Sequence, residues 1–341
     1  MDYRPLGRSG LLASVIGFGA AVLNRDDSDG RREADAKVGF ALDAGVNLFD
    51  TADVYADGVS ERLLGRSLGH RRDEVILSSK VRFRSGPHLN DEGLSRRHIA
   101  RSLEASLQRL GTDHIDLYHL HEWDGQTPVE ETVAALDLAV RAGKIRYVGV
   151  SNFAGWQLGT FLAEAAGCGL PIVAQQIHYS PVCRDAEYEL VPLALVHQQA
   201  LLVWSPLAGG LLGGRYDRSH TDQVAAWSEP PVPDPNRFFG LLDLLRTIGD
   251  ELAAPLARVA LAWTSQRVGV TTLIVGGRTL DQLQSLLTGP MPDLDNEQLA
   301  RIDRFTRPAL LYPYWHQRSV ASRLSPVDLN LLGPHLSPDQ S

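Results

Sequence analysis

The sequence predicts an α/β chain folded as a (β/α)8 TIM barrel, with an N-terminal hairpin before it and a C-terminal extension after it. Three observations carry this. Short β-branched or aromatic runs alternate with longer amphipathic stretches, the pattern of parallel strands joined by crossover helices. Eight such runs are each followed by a helical stretch, which fits a closed barrel better than a doubly wound sheet. No G-x-G-x-x-G follows the first strand, so a Rossmann domain has no support.

Strands are expected at residues 14–17, 47–50, 75–80, 115–121, 145–151, 173–176, 201–205 and 271–275. Helices are expected at 34–44, 60–68, 95–110, 129–142, 156–166, 189–198, 239–253, 257–266 and 279–287. Gly45, Gly111 and Gly143 each follow a helical run, where a left-handed residue closes a helix. Thr127-Pro128 and Thr279 stand at helix starts as cap candidates. Three segments fall outside the repeat. Residues 3–12, with Gly7 and Gly10, form the hairpin. Residues 215–237 form a polar loop with four prolines after the seventh strand. From about 303 a helix-like start gives way to irregular Pro- and Leu-rich sequence. The expected division is a single catalytic barrel over 1–310 and a tail over 311–341, frayed from 332 on.

Hydrophobic residues make up 44% and charged residues 22%, the balance of a globular protein. A net charge of −8 and a pI of 5.8 argue against a nucleic-acid surface. No run of about 18 apolar residues exists, so no transmembrane helix and no membrane partner are expected. Met1-Asp2-Tyr3-Arg4-Pro5 lacks the apolar run of a signal peptide, and two cysteines, Cys168 and Cys183, make no disulfide framework. A cytoplasmic protein acting on a small molecule is the expectation. The sequence carries no signal for an oligomeric state.

In a parallel barrel, chemistry sits where the strands end. The second strand ends in Phe49-Asp50-Thr51-Ala52-Asp53-Val54-Tyr55, the third in Ser78-Ser79-Lys80 and the fourth in His119-Leu120-His121. The fifth ends in Ser151-Asn152 and the sixth in Gln175-Gln176. A Tyr, a Lys, a His and an Asp at one mouth suit acid–base work on a carbonyl. A free tyrosine holds its proton too tightly, to a pKa of about 10, for easy exchange at neutral pH. A neighbouring ammonium stabilises the phenolate and brings that value down. An Asp can hold the Lys, and a neutral His can donate to the substrate oxygen. Read singly, Asp50 also fits a buried cap, Tyr55 a loop aromatic, Ser151-Asn152 a helix cap and Trp204 core packing. His119 and His121, two apart on a strand, could be half of a metal site. The other strand ends offer Lys80, Ser151 and Gln176, poor zinc ligands, so no metal is assigned.

The run Phe49-Asp50-Thr51-Ala52-x-x-Tyr55, followed by Ser60-Glu61-x-x-Leu64-Gly65, resembles the signature of the aldo-keto reductases. So do Arg146-Tyr147-x-Gly149-x-Ser151-Asn152-Phe153, the stretch from Trp204-Ser205-Pro206 to Gly210, and Gly276-Gly277-Arg278-Thr279-x-x-Gln282-Leu283. The resemblance runs from about Leu6 to Leu287. Trp123-Asp124 and the Trp204 motif point to the bacterial branch related to the potassium-channel β subunits. The resemblance implies a nicotinamide-dependent oxidoreductase with Asp50, Tyr55, Lys80 and His121 as the catalytic four. It implies that Ser151, Asn152 and Gln176 hold the nicotinamide carboxamide and that Trp204 lies against the ring. Ser205, Leu207, Gly209 and Leu211 would lie over the pyrophosphate. Gly276, Arg278 and Gln282 would take the adenosine end. An Arg there suits a 2′-phosphate, so NADPH is expected over NAD. The pattern is broken at Gln284-Ser285-Leu286, where an acidic residue followed by Asn is usual, and at His178, where Glu is frequent.

The expected activity is reduction of an aldehyde or ketone, a sugar or secondary-metabolite carbonyl, with Tyr55 as proton donor. Val22, Trp123 and the 215–237 loop are expected around the substrate, the loop closing over bound cofactor. Two other readings stand beside it. One is an NAD-dependent dehydrogenase of an aldose or lactol, since one site runs both directions. The other is a redox-sensing regulatory subunit that holds the cofactor for a partner.

Overall fold

The computed structural model describes residues 1–225 and 229–336. Ten strands are present among them: β1 (Tyr3–Pro5), β2 (Leu12–Ser14), β3 (Ile16–Gly19), β4 (Leu48–Asp50), β5 (Ile76–Val81), β6 (Ile115–Leu120), β7 (Ile145–Ser151), β8 (Ile172–His178), β9 (Ala200–Trp204) and β10 (Val270–Val275). The helices are α1 (Ser28–Asp43), α2 (Val59–Leu68), α3 (Arg96–Leu110), α4 (Val129–Arg141), α5 (Gly155–Gly167), α6 (Leu190–His197), α7 (Thr221–Ala225), α8 (Pro235–Leu252), α9 (Leu256–Ser265), α10 (Leu280–Leu287), α11 (Asn296–Thr306), α12 (Tyr314–Gln317) and α13 (Pro326–Leu332). They group into two compact units.

The first unit comprises Met1–Ile177, Gln199–Trp204 and Val270–Pro290. Apart from the last residue of β8, it holds the whole sheet. Strands β3 to β10 close into a barrel, with β10 beside both β9 and β3. The barrel strands pair in parallel, for example Asp50 opposite Ser78, Lys80 opposite His119 and Ser151 opposite Gln176. Successive helices from α1 to α5 pack on one another, and α10 packs on α1. The (β/α)8 barrel expected from the sequence is therefore the fold.

The N-terminal hairpin plugs one end. β1 pairs antiparallel with β2, and Leu6 in the turn between them is fully buried. It shares an apolar cluster with Leu48, Ile76, Leu117 and Ala200, residues at or near the starts of their strands. Asn47 ties the hairpin down, accepting from the Ser14 N–H at 2.7 Å and donating to the Leu12 carbonyl at 2.8 Å. With the strand starts closed, only the strand ends remain to build a site.

Some boundaries differ from expectation. The first barrel strand is Ile16–Gly19, not 14–17, because Leu12–Ser14 pairs with the hairpin and the Ser14 hydroxyl bonds to the Ile16 carbonyl. Helix α1 starts at Ser28, six residues before the expected 34, because the Asp27 carboxylate accepts the Gly30 N–H at 2.7 Å and caps it there. Gly45, Gly111 and Gly143 have the left-handed φ expected, and Thr279 caps α10. Thr127 does not cap α4; its hydroxyl donates to Asp124 instead.

The second unit comprises the described residues of His178–Gln198, Ser205–Gly269 and Met291–Ser341. The segment 215–237 is not a plain loop. It carries a short 3-10 turn at Arg218–His220, then α7, and α8 begins inside it at Pro235, capped by Asp234. The tail is also more ordered than expected, with α11, α12 and α13. Its start is anchored by Asp303. That carboxylate accepts from the buried Trp263 indole at 3.0 Å, from Arg184 at 3.1 Å and from Arg267 at 2.9 Å. Both guanidiniums lie over the Trp263 ring, at 5.1 and 4.7 Å. The expected fraying from 332 falls partly on 337–341, outside the described residues.

Candidate active site

Asp50 ends β4, Lys80 is next to last in β5 and His121 follows β6 directly. All three are buried, Lys80 completely. The Lys80 ammonium donates to Asp50 Oδ2 at 2.5 Å and to the Thr51 carbonyl at 2.8 Å. Asp50 Oδ1 accepts from Ser78 Oγ at 2.8 Å and from Gln176 Nε2 at 2.9 Å. Ser78 and Gln176 leave no lone oxygen on the buried carboxylate, as such a charge requires. Burial works against the ammonium, but Asp50 and the Tyr55 oxygen outweigh it and hold Lys80 above its ordinary value.

The same ammonium lies 5.1 Å from the centre of the Tyr55 ring. Tyr55 sits edge-on to His121 with ring centres 5.7 Å apart, and Phe83 packs edge-on to His121 at 4.9 Å. The chain leaves Tyr55 through two left-handed residues, Ala56 and Asp57, with φ of 49° and 53°. Such a pair is strained for non-glycine residues, and it turns the backbone directly into α2. Asp50, Tyr55, Lys80 and His121 thus converge.

Both histidines are held neutral. Burial, then the positive charge of Lys80, pushes His121 down to about 2. Burial pushes His119 down to about 3, with Asp50 pulling the other way. His119 points its Nδ1 at the Ser78 hydroxyl, 3.2 Å away. Its ring fits because position 149 is glycine: a Cβ there would stand 2.5 Å from His119 Cδ2. Among the described residues, His121 Nδ1 and His119 Nε2 have no hydrogen-bond partner. No cluster of three or more His, Cys, Asp or Glu side chains suits a metal among those residues.

The residues named for the cofactor fall in three groups. Ser151, Asn152, Gln176 and Trp204 stand at the ends of β7, β8 and β9. Asn152, left-handed at φ 56°, accepts from the Trp204 indole at 3.0 Å and donates to the His121 carbonyl at 3.0 Å. It therefore fixes both neighbours. Ser151 Oγ is buried with no partner among the described residues. Gln176, expected only as a cofactor residue, is also a positioning residue for Asp50. Gly276, Arg278 and Gln282 lie between β10 and the first turn of α10. Gly276 lets Val22 come close, since a Cβ would stand 3.0 Å from Val22 Cγ1. Gln282 Oε1 accepts the Arg278 N–H at 2.9 Å, and the Arg278 side chain is exposed.

Ser205, Leu207, Gly209 and Leu211 form a tight turn in the second unit. Gly209 N–H donates to Ser205 Oγ at 2.7 Å, and Leu211 N–H to the Ala208 carbonyl at 3.1 Å. Trp123, expected at the substrate, packs edge-on to Phe153 at 5.2 Å and to Trp156 at 5.8 Å. Trp156 is 66% exposed and was not singled out from the sequence. Its place at the start of a helix made it look like an ordinary first-turn residue.

Residues 15–307 match the sequence model of the Aldo/keto reductase family. The chain belongs to the aldo/keto reductase family. It is 37% identical over 317 residues to the Bacillus subtilis protein named "Uncharacterized oxidoreductase YrpG", covering 89% of this chain and 95% of that one. It is 36% identical over 295 residues to an Arabidopsis thaliana protein named "Probable voltage-gated potassium channel subunit beta", covering 83% of this chain and 89% of that one. A Schizosaccharomyces pombe protein with a similar name, "Putative voltage-gated potassium channel subunit beta", is 32% identical over 297 residues, 83% of this chain and 86% of that one. This aldo/keto reductase is an NAD(P)-dependent oxidoreductase, and carbonyl reduction is the general reaction of its family. No helix among the described residues is long and apolar enough to cross a membrane.

Close to Asp50 and Lys80 lies a second buried cluster. Glu61 on α2 is fully buried, pairs with Arg109 at 2.6 Å and accepts from Ser79 Oγ at 2.6 Å. Asp53 is buried, and neither of its carboxyl oxygens has a partner among the described residues. Burial, then the charge of Glu61, pushes the Asp53 carboxyl up to about 7, with Arg109 and Lys80 pulling the other way. The run Asp50 to Tyr55 and the pair Ser60-Glu61 drew attention in the sequence. Nothing there separated Asp53 from Asp50, because the difference is one of burial and neighbours.

Proposed function

We propose that this chain reduces an aldehyde or ketone with NADPH, Tyr55 giving the proton to the carbonyl oxygen. The observation that carries the reading is the fully buried Lys80, bonded to Asp50 and set against the Tyr55 ring. An ammonium there favours the phenolate left behind when Tyr55 releases its proton. A neutral His121 can offer an N–H to the same carbonyl oxygen and hold it toward Tyr55. Ser78 and Gln176 keep Asp50 aimed at Lys80.

A bound nicotinamide supplies the hydride. Its carboxamide fits the unpartnered Ser151 hydroxyl, with Asn152 and Gln176 beside it, and Trp204, fixed by Asn152, would flank the ring. The exposed Arg278 guanidinium suits a 2′-phosphate, which favours NADPH over NADH. Val22 and the Trp123–Trp156 pair are the apolar surfaces for the substrate, which suits a sugar ring or a secondary-metabolite ketone.

Titration of the protein with NADPH and NADH, followed by a carbonyl panel with each, tests the reading. NADPH bound more tightly than NADH and consumed with at least one aldehyde or ketone supports it. Preference for NADH with aldose oxidation would replace it by the dehydrogenase reading. The channel-subunit names of two relatives favour a regulatory subunit as a second reading. A stable membrane-protein partner, with cofactor held through many minutes without turnover, would support that one.

A further inference from the structure

Helix α1 carries a lysine that the chemistry above does not use. The buried face of α1 includes Ala34, Val38 and Ala41, and Lys37 shares it, only 1% exposed. An ammonium on an apolar face is costly to desolvate unless it is paired. Lys37 has two partners. One is Glu33, one turn back on its own helix, at 2.6 Å. The other is the backbone carbonyl of Arg278 at 2.8 Å, 241 residues away in the chain.

That carbonyl belongs to the residue placed at the cofactor's 2′-phosphate. Its N–H is held as well, by Gln282 Oε1 at 2.9 Å. Gly277 folds the segment so closely onto α10 that a Cβ there would stand 2.6 Å from the Leu283 nitrogen. The backbone of Arg278 is thus clamped from both sides. Its side chain is exposed, and among the described residues its guanidinium has no partner. A rigid backbone beneath a free guanidinium is what selective anion binding requires, because little freedom is left to lose on binding.

We infer that Lys37 is a positioning residue for cofactor choice: by holding the Arg278 carbonyl it aims the guanidinium at a 2′-phosphate. The inference rests on the reading of Arg278 given above. A plain structural staple between α1 and the loop would act on stability alone. A positioning residue acts on the ratio of the two cofactors' affinities.

The test is fluorescence titration of the full chain with NADPH and with NADH, for wild type, Lys37→Met, Arg278→Ala and the double variant. Methionine matches the buried stem of lysine, and Glu33 is 40% exposed, so water can take the place of the lost ion pair. Lys37→Met is expected to weaken NADPH by about tenfold, the scale of one charge-assisted bond, with NADH changed less than about twofold. Once Arg278 is gone, adding Lys37→Met is expected to lower the NADPH preference no further. Should Lys37→Met not fold, Lys37→Gln, too short to reach the carbonyl, is expected to give the same loss. An unchanged NADPH-to-NADH ratio in a folded Lys37 variant, while Arg278→Ala abolishes the preference, overturns the Lys37 inference alone. An unchanged ratio in Arg278→Ala overturns the 2′-phosphate reading and the Lys37 inference with it.

Discussion

At the residue scale, burial of charge decides the most. Lys80 is fully buried, and the Asp50 carboxylate at 2.5 Å is its counter-charge. Asp50→Asn removes that charge while the ammonium stays behind, which is expected to destabilise the fold by about 3–5 kcal/mol. Adding Lys80→Met to Asp50→Asn is expected to recover most of the loss, because the lone charge is gone. Chemical denaturation of the three proteins checks this. If the double variant is no more stable than Asp50→Asn, ion-pair burial is not what ties the two residues together. The four residues of this group were legible in the sequence because Asp50, Lys80 and His121 stand at or just past strand ends and Tyr55 closes the motif that begins at one of them. Their supports were not. Gln176 reaches Asp50 across 126 residues and Lys37 reaches Arg278 across 241. Neither contact leaves any local trace, and both depend on which strands and helices become neighbours.

At the scale of elements, the order of strands and helices could be read because the hydrophobic period changes at each boundary. The boundaries followed caps. Helix α1 and helix α8 both start earlier than expected, at Ser28 and Pro235, each just after an aspartate that caps it. Apolar periodicity begins later than the cap in both helices, which is why periodicity alone placed their starts late. Asp27→Ala is expected to cost about 1 kcal/mol, since the Gly30 N–H loses its acceptor. The loss should appear as a lower denaturant midpoint with an unchanged slope. An unaltered midpoint would mean that packing of α1, not the cap, sets where the helix begins. The C-terminal helices escaped prediction for a different reason. Helices α11 and α13 open on local caps, Asp295 with Gln298 and Ser325 with Asp328, but α11 is also held by long-range bonds, Asp303 with Trp263, Arg184 and Arg267, that leave no local trace.

At the scale of the whole molecule, buried titratable groups set opposite pH limits. His119 and His121 take protons at 6.5 when unfolded but only near 3 and 2 when folded. Their contribution to stability is full above pH 6.5 and is lost as the pH falls toward 3. Asp53 behaves in the other direction, rising from 3.8 unfolded to about 7 folded. Its protonated form stabilises the fold below about pH 4, and that contribution is lost as the pH rises through 7. Asp53→Asn is therefore expected to flatten the stability profile between pH 4 and 7 and to gain on the order of 2–4 kcal/mol at pH 8 relative to wild type. A profile that still falls across that window in Asp53→Asn would assign the slope to another group.

The most direct test of the carbonyl-reduction account is Tyr55→Phe, measured for both NADPH binding and turnover with a carbonyl that the wild type reduces. The phenyl ring keeps the packing against His121 and loses only the oxygen that carries the proton. The expected result is a fall in kcat of about 100- to 10,000-fold, with the Kd for NADPH within about twofold of wild type. Turnover retained in Tyr55→Phe, with cofactor binding intact, would contradict the account and place the proton donor elsewhere.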